Sequence, residues 1–227
     1  MPTVREMGLM ANAVYETAPM VPGWACTARR AGARLNGFQA ATFVNSGITV
    51  LAFRGTSQAM DVAADLKLGV GMNSTYFSDA EAYAFDYKHL PNVYVCGHSL
   101  GGAIAQVVGN RHELKFVTFN APGVAVVASR NIMDATLTMS AVRGVGMVLS
   151  AFRHPMQAMR DMRAAFNTAH GLNVCLQNDL VSKIGLHYGE VIRIPGTSAN
   201  PLTEHSMNTV STVLENSPIG GWDASGF

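Results

Sequence analysis

Ser99 stands in the run Gly97-His98-Ser99-Leu100-Gly101-Gly102, a Gly-x-Ser-x-Gly pattern of the kind that presents a serine hydroxyl as a nucleophile. In a chain rich in Gly and Ser the pattern alone arises by chance, so its flanks decide its meaning. It directly follows the apolar run Val93-Tyr94-Val95-Cys96 and directly precedes the small-residue run Gly101-Gly102-Ala103-Ile104-Ala105-Gln106. The stretch therefore reads as strand, sharp turn and helix. In such an elbow the serine takes a strained backbone conformation, and neighbouring glycines let strand and helix approach closely. The helix N-terminus beneath it supplies partial positive charge and free N–H groups, which favour the anion formed in acyl transfer. The Leu100 N–H is then one oxyanion donor.

Two motifs, Val95-Cys96-Gly97-His98-Ser99-Leu100-Gly101-Gly102-Ala103 and Leu51-Ala52-Phe53-Arg54-Gly55-Thr56, carry a further reading. Through them the sequence resembles the class 3 lipase family, the fungal triacylglycerol lipase type of the α/β-hydrolase superfamily. The resemblance covers roughly residues 38 to 214. It implies that Thr56, after the Arg-Gly pair, supplies a second oxyanion contact through its N–H and hydroxyl. The residues themselves agree, because a strand ending in Arg54-Gly55-Thr56 places a flexible glycine and a hydroxyl at the edge where open α/β sheets bind ligands. An ordinary strand-terminating turn is the alternative. Arg54 is expected to make a structural ion pair, with Asp61 or Asp65 as partner.

A serine hydroxyl needs a histidine base and an orienting carboxylate, which follow it in the order acid, then histidine, in this elbow class. Asp134, Asp161, Asp179 and Glu190 are the candidate acids after Ser99. Asp179 is selected because its turn comes immediately after a core strand at Asn173-Val174-Cys175-Leu176; the family also places its acid in such an Asn-Asp turn. Of His187 and His205, the second precedes the last helix from a long loop and is selected as the base. His187 reads as a surface or packing histidine, and His98 as an orienting residue pointing away from Ser99. The run Leu180-Val181-Ser182 stands where the family often carries a Pro-containing loop.

The elements that must position these residues follow from periodicity. Residues 3–16 read as an amphipathic helix weakened by Gly8. Residues 25–53 hold two or three strands, including 38–43 and 48–53 around the turn Asn45-Ser46-Gly47. Helices are expected at 59–68, at 78–90 with a Ser78/Glu81 capping box and a stop at Pro91, and at 101–110. Strands are expected at 92–96, 114–120, 172–176 and 190–194, with a final helix at 204–214. The alternation implies an α/β class, a largely parallel central sheet with helices on both faces. Residues 1–227 read as a single domain, with a helical Met-rich insertion at about 124–170. Its recurring Met156, Met159, Met162 and Phe166 either pack on the core or form a cap that offers lipid a Met-rich, Arg-fringed face. The gap from Thr56 to Ser99 leaves room for only a small lid, near 70–76.

Composition narrows the function classes. Hydrophobic residues make up 48% and charged residues 14% of 227, enough apolar surface for a sizeable core. A net charge of +1 gives no electrostatic footprint for nucleic acid. Cys26, Cys96 and Cys175 have no metal-ligand spacing and read as free, mostly buried thiols, which favours a reducing compartment, with a single disulfide between two of them as the alternative. Arg5 and Glu6 interrupt any signal-peptide core, and 139–152 is too short to span a bilayer. The chain is thus expected in the cytoplasm, or exported without a cleavable signal, and not as a transmembrane protein. The expected function is a serine carboxylic-ester hydrolase acting on acylglycerols or phospholipids, with no metal or organic cofactor. Its partners would be a lipid or other ester and a membrane or micelle surface. Alternative readings are a phospholipase A1-type antibacterial effector, a thioesterase or acyltransferase, and a non-catalytic protein on the same scaffold. Oligomeric state is left open.

Overall fold

The computed structural model describes residues 1–31, 37–55, 74–124 and 169–227. Thr56, Asp61, Asp65, the expected helix at 59–68, the lid region up to residue 73 and the Met-rich segment 125–168 lie outside the described residues.

Helix α1, Val4–Ala13, starts where Thr3 and Glu6 close a capping box: Thr3 Oγ1 accepts from Glu6 N, and the Glu6 carboxylate accepts from Thr3 N. Val4, Met7, Met10, Ala11 and Val14 recur at helical spacing and are buried, which is the amphipathic face expected from the sequence. Gly8 serves packing, since a Cβ there would stand 2.7 Å from Leu214 Cδ1.

Among the described residues seven strands follow: β1 Ala25–Ala31, β2 Gln39–Asn45, β3 Ile48–Phe53, β4 Val93–His98, β5 Lys115–Phe119, β6 Gly171–Leu176 and β7 Glu190–Ile194. They lie side by side in chain order. The β1, β2 and β3 pairings are antiparallel, and β3 through β7 run parallel. The sheet is therefore largely parallel, as the sequence implies.

Alternate residues of the central strands enter opposite layers, as the two-residue period requires. Val50, Ala52, Tyr94, Cys96, Val117 and Phe119 pack with α1 and the C-terminal helix. Leu51, Phe53, Val93, Val95 and Phe116 pack with helices α2, Ser74–Phe85, and α3, Leu100–His112. Full burial of side chains such as Phe53, Phe116 and Phe119 contributes roughly 2 kcal/mol each relative to exposure. Cys26, Cys96 and Cys175 are free, and the last two are buried.

Two helices differ from the sequence reading. The helix expected at 78–90 spans Ser74–Phe85, ending well before Pro91, and Ser78 lies inside it. Ser and Glu three residues apart also share one face of a continuing helix, so the spacing cannot by itself mark a start. The buried Phe77, Ala80, Tyr83 and Ala84 define the inward face. The final helix is split into α4, Pro201–His205, and α5, Met207–Asn216. Asn200 caps the first with Pro201 behind it, and Ser206 leaves helical geometry to cap the second. Among the described residues no helix is long and apolar enough to cross a membrane.

Parallel pairing in register has one consequence for chemistry. The C-terminal ends of β3, β4, β5 and β6 bring Gly55, Ser99, Asn120 and Asp179 to the same edge of the sheet.

Candidate active site

Ser99 links β4 to α3 with φ 55° and ψ −128°, a conformation that costs a non-glycine residue about 1–3 kcal/mol. The surroundings enforce it. Ser99 N–H donates to Phe119 O at 3.1 Å, and Ser99 O accepts from Gly102 and Ala103 N–H at 3.0 and 3.1 Å. A Cβ on Gly97 would overlap the Gly101 carbonyl, and one on Gly101 would overlap the Phe53 carbonyl. Glycine at both positions lets helix and strands close around the turn. Leu100 is the first residue of α3, so its N–H has no acceptor within the helix. Thr56 lies outside the described residues, but the preceding Gly55 meets the elbow: a Cβ on it would stand 2.7 Å from His98 O and 3.3 Å from Gly101 N. Arg54 Nη1 donates to Gln39 Oε1 at 2.6 Å, and its guanidinium lies 5.3 Å from the Tyr15 ring centre. Among the described residues Arg54 thus has an amide and an aromatic partner, while its expected partners Asp61 and Asp65 lie outside the described residues.

The structure brings His205 and Asp179 to Ser99. His205 Nε2 is 3.0 Å from Ser99 Oγ, and His205 Nδ1 is 2.8 Å from Asp179 Oδ1. A carboxylate only accepts, so Nδ1 carries the ring proton and Nε2 is left bare to accept from the serine hydroxyl. Asp179 is itself held in place, with Oδ1 accepting from Val181 N–H at 3.2 Å and Oδ2 from Ser182 N–H at 2.8 Å. Burial works against its charge, but the His205 bond and these backbone donors outweigh burial and hold the carboxyl below its usual range. Arg193 Nη2 donates to Ser182 O at 3.2 Å, which braces the same turn.

His205 is the last residue of α4 rather than part of a free loop. Two side chains pin its backbone. Asn120 Nδ2 donates to Glu204 O at 2.8 Å while Asn120 Oδ1 accepts from Leu176 N–H at 2.8 Å. His98 Nε2 lies 2.6 Å from His205 O, with the two rings 4.8 Å apart. Burial, followed by the proximity of His205, pushes the His98 imidazole down to about 3, so it is neutral.

The competing candidates lie elsewhere. His187 is buried, with Nε2 2.9 Å from Ala121 O, and packs below the β5 loop. Glu190 is exposed at the start of β7. Asp134 and Asp161 lie outside the described residues. Asn120 was not singled out by sequence; its one signal is an Asn at a strand end, where φ 45° favours that residue. Among the described residues no group of three or more His, Cys, Asp or Glu stands where it could hold a metal ion.

This strand-elbow-helix unit falls within residues 6–156, which match the model of the phospholipase-like family described as the Tle-like phospholipase domain. The chain belongs to that family. A relative from Serratia liquefaciens, named extracellular phospholipase A1, is 34% identical over 92 residues, covering 40% of this chain and 29% of that protein. Among solved structures, lipase II from Rhizopus niveus matches with a TM-score of 0.48 and 14% identity, over 96% of this chain and 90% of that one. The Rhizomucor miehei lipase propeptide complex matches with a TM-score of 0.44 and 14% identity, over 97% of this chain and 78% of that one.

Proposed function

We propose that this chain cleaves carboxylic esters of phospholipids or acylglycerols through an acyl-enzyme on Ser99, within a single α/β-hydrolase-like domain. The observation that carries the reading is the line Ser99 Oγ, His205, Asp179, with separations of 3.0 and 2.8 Å.

In the first step Ser99 Oγ bonds to the ester carbonyl carbon as its proton passes to His205 Nε2. Asp179 stabilises the imidazolium without taking its proton. The carbonyl oxygen becomes an oxyanion held by the Leu100 N–H and, in the proposed assignment, by Thr56; each such donor is commonly worth about 3 kcal/mol. Collapse breaks the ester C–O bond, and His205 returns the proton to the leaving alcohol. Water then repeats the sequence and releases the fatty acid.

Phospholipid is the favoured substrate, supported by the family's description and by the name of the Serratia relative. Leu180, beside Asp179, and Leu202, three residues before His205, are 54% and 53% exposed. Apolar side chains so placed suit contact with a membrane or micelle surface at the site's rim. An extracellular destination fits that relative's name.

The test is a fluorophosphonate probe followed by a substrate panel, with Ser99→Ala as blank. Wild type should be labelled and Ser99→Ala should not. Phospholipid vesicles should yield free fatty acid and lysophospholipid, while thioester and alcohol-acceptor reactions would reveal a thioesterase or acyltransferase instead. Folded wild type that neither labels nor cleaves any ester would end the proposal.

A further inference from the structure

Tyr15 lies just beyond α1, with its hydroxyl 3.3 Å from His98 Nδ1 and 3.1 Å from Gly55 N. The direction of every bond in this cluster can be worked out from one end. His205 O is a carbonyl and only accepts, so His98 Nε2 at 2.6 Å must carry a proton. The neutral ring then leaves Nδ1 bare, and the Tyr15 hydroxyl must donate to it. Having placed its own proton there, the Tyr15 oxygen accepts from Gly55 N–H. The line runs Gly55 N–H to Tyr15 O–H to His98 to the His205 carbonyl, with no group left in a mixed role. It starts one residue before Thr56, on the proposed oxyanion side, and ends on the residue proposed as base.

The surroundings favour this arrangement. Burial, above all, pushes the Tyr15 hydroxyl up to about 12, so it keeps its proton. The Arg54 guanidinium covers the Tyr15 ring from the strand that leads into Gly55. Helix α1 packs across β3, β4 and β5, and Tyr15 sits in the turn directly after it.

We propose that Tyr15 and His98 are a positioning pair that sets the Gly55 backbone and the His205 backbone at a fixed separation across Ser99. This rests on the reading of Ser99, His205 and Asp179 given above. Neither residue touches reacting atoms. Their effect passes through geometry, where a displacement near 1 Å costs on the order of 10²-fold in rate.

The experiment measures kcat and KM on a soluble ester, together with the rate of fluorophosphonate labelling, with all rates expressed per site titrated by the same probe. Tyr15→Phe keeps the ring and removes only the hydroxyl. It should lower kcat and labelling rate about 10-fold or more while KM changes little. His98→Leu should cost at least as much. His98→Gln, whose amide N–H reaches toward His205 O, should recover part of that loss. Adding Tyr15→Phe to His98→Leu should cost nothing further, because the line is already cut. Wild-type kcat and labelling rate per titrated site in Tyr15→Phe would overturn the pairing, since a purely structural residue lowers only the number of titratable sites. If wild type itself is not labelled, the Ser99 reading falls and takes the pairing with it. Should the His98 variants fail to fold, Tyr15→Phe alone decides.

Discussion

The proposed nucleophile and the proposed base are held at the same edge of one sheet by different means. Ser99 is fixed by what is next to it: a strand behind, a helix ahead, and glycines at 97 and 101 where any side chain would strike a carbonyl. Asp179, His98 and Asn120 hold the His205 segment from 26, 107 and 84 positions away in the chain. The elbow's local geometry is completed by neighbouring strands, where Phe119 O accepts from Ser99 N–H and Phe53 O abuts Gly101. A segment pinned at three distant points is correct only when the whole sheet is in register, so its geometry can be altered without disturbing the elbow.

The strongest break of this comparison is made on the nucleophile's side. Ser99→Ala removes the attacking oxygen and leaves the elbow's packing intact, so hydrolysis should fall by on the order of 10⁴–10⁶-fold with an unchanged unfolding midpoint. Initial rates and urea titration read the two quantities. Equal loss of activity and stability would mean that the elbow and not the hydroxyl had been disturbed.

On the other side, Asp179→Asn should cost about 10⁴-fold in kcat, because an amide can turn its N–H toward His205 and reverse the ring's tautomer. The same change sets an amide donor against the Val181 or Ser182 N–H groups. A pre-steady-state measurement of acylation would detect the loss, and near-wild-type acylation would remove Asp179 from its proposed role.

Asn120→Ala tests whether distant pins matter separately. It strips the partner from Leu176 N–H and Glu204 O, and it places alanine at φ 45°. Stability should drop by about 2–4 kcal/mol and kcat per titrated site by roughly 10-fold, while Ser99 stays reactive enough to titrate. Wild-type kcat per titrated site would show that His98 and Asp179 suffice.

The last expected effect is on the pH dependence of stability and leaves catalysis aside. His98 sits at about 3 in the fold against about 6.5 in an unfolded chain. Between those values the unfolded chain binds a proton that the folded chain refuses. Stability should therefore fall by about 1.4 kcal/mol per unit as pH drops below 6.5, and be unaffected by this group above it. The depressed Asp179 carboxyl acts with the same sign lower down, its contribution present above the ordinary carboxylate range and lost as pH falls below it. Urea midpoints between pH 7 and 4 should slope less in His98→Gln than in wild type. Parallel slopes would place the linked proton elsewhere.

Much of the scaffold was legible because it is written in short-range patterns. The apolar runs 48–53 and 93–96 alternate between two cores, and the Thr3-to-Ala13 stretch carries its own capping box and buried stripe. Where patterns were ambiguous the reading slipped. Ser78 and Glu81 share a helix face whether or not a helix starts there, and Ser206 interrupts what looks like one final helix. Of the site, Ser99, Asp179 and His205 could be nominated from motif, turn and chain order. Tyr15 looks like one more residue on an amphipathic helix, and Asn120 like the end of a strand. Their hydrogen bonds to Gly55, His98, Leu176 and Glu204 leave no mark in the sequence around them.

The sequence by itself determined the elbow. Sterics over a few residues dictate it: glycine where backbones touch, a strand's apolar run before it and small residues in the helix after it. Only the tertiary structure decided that Asp179 and His205 meet at Ser99, and that His98 turns its ring to the base rather than to solvent. Those placements depend on four parallel strands ending together and on partners up to 107 positions apart, distances over which no local preference carries information.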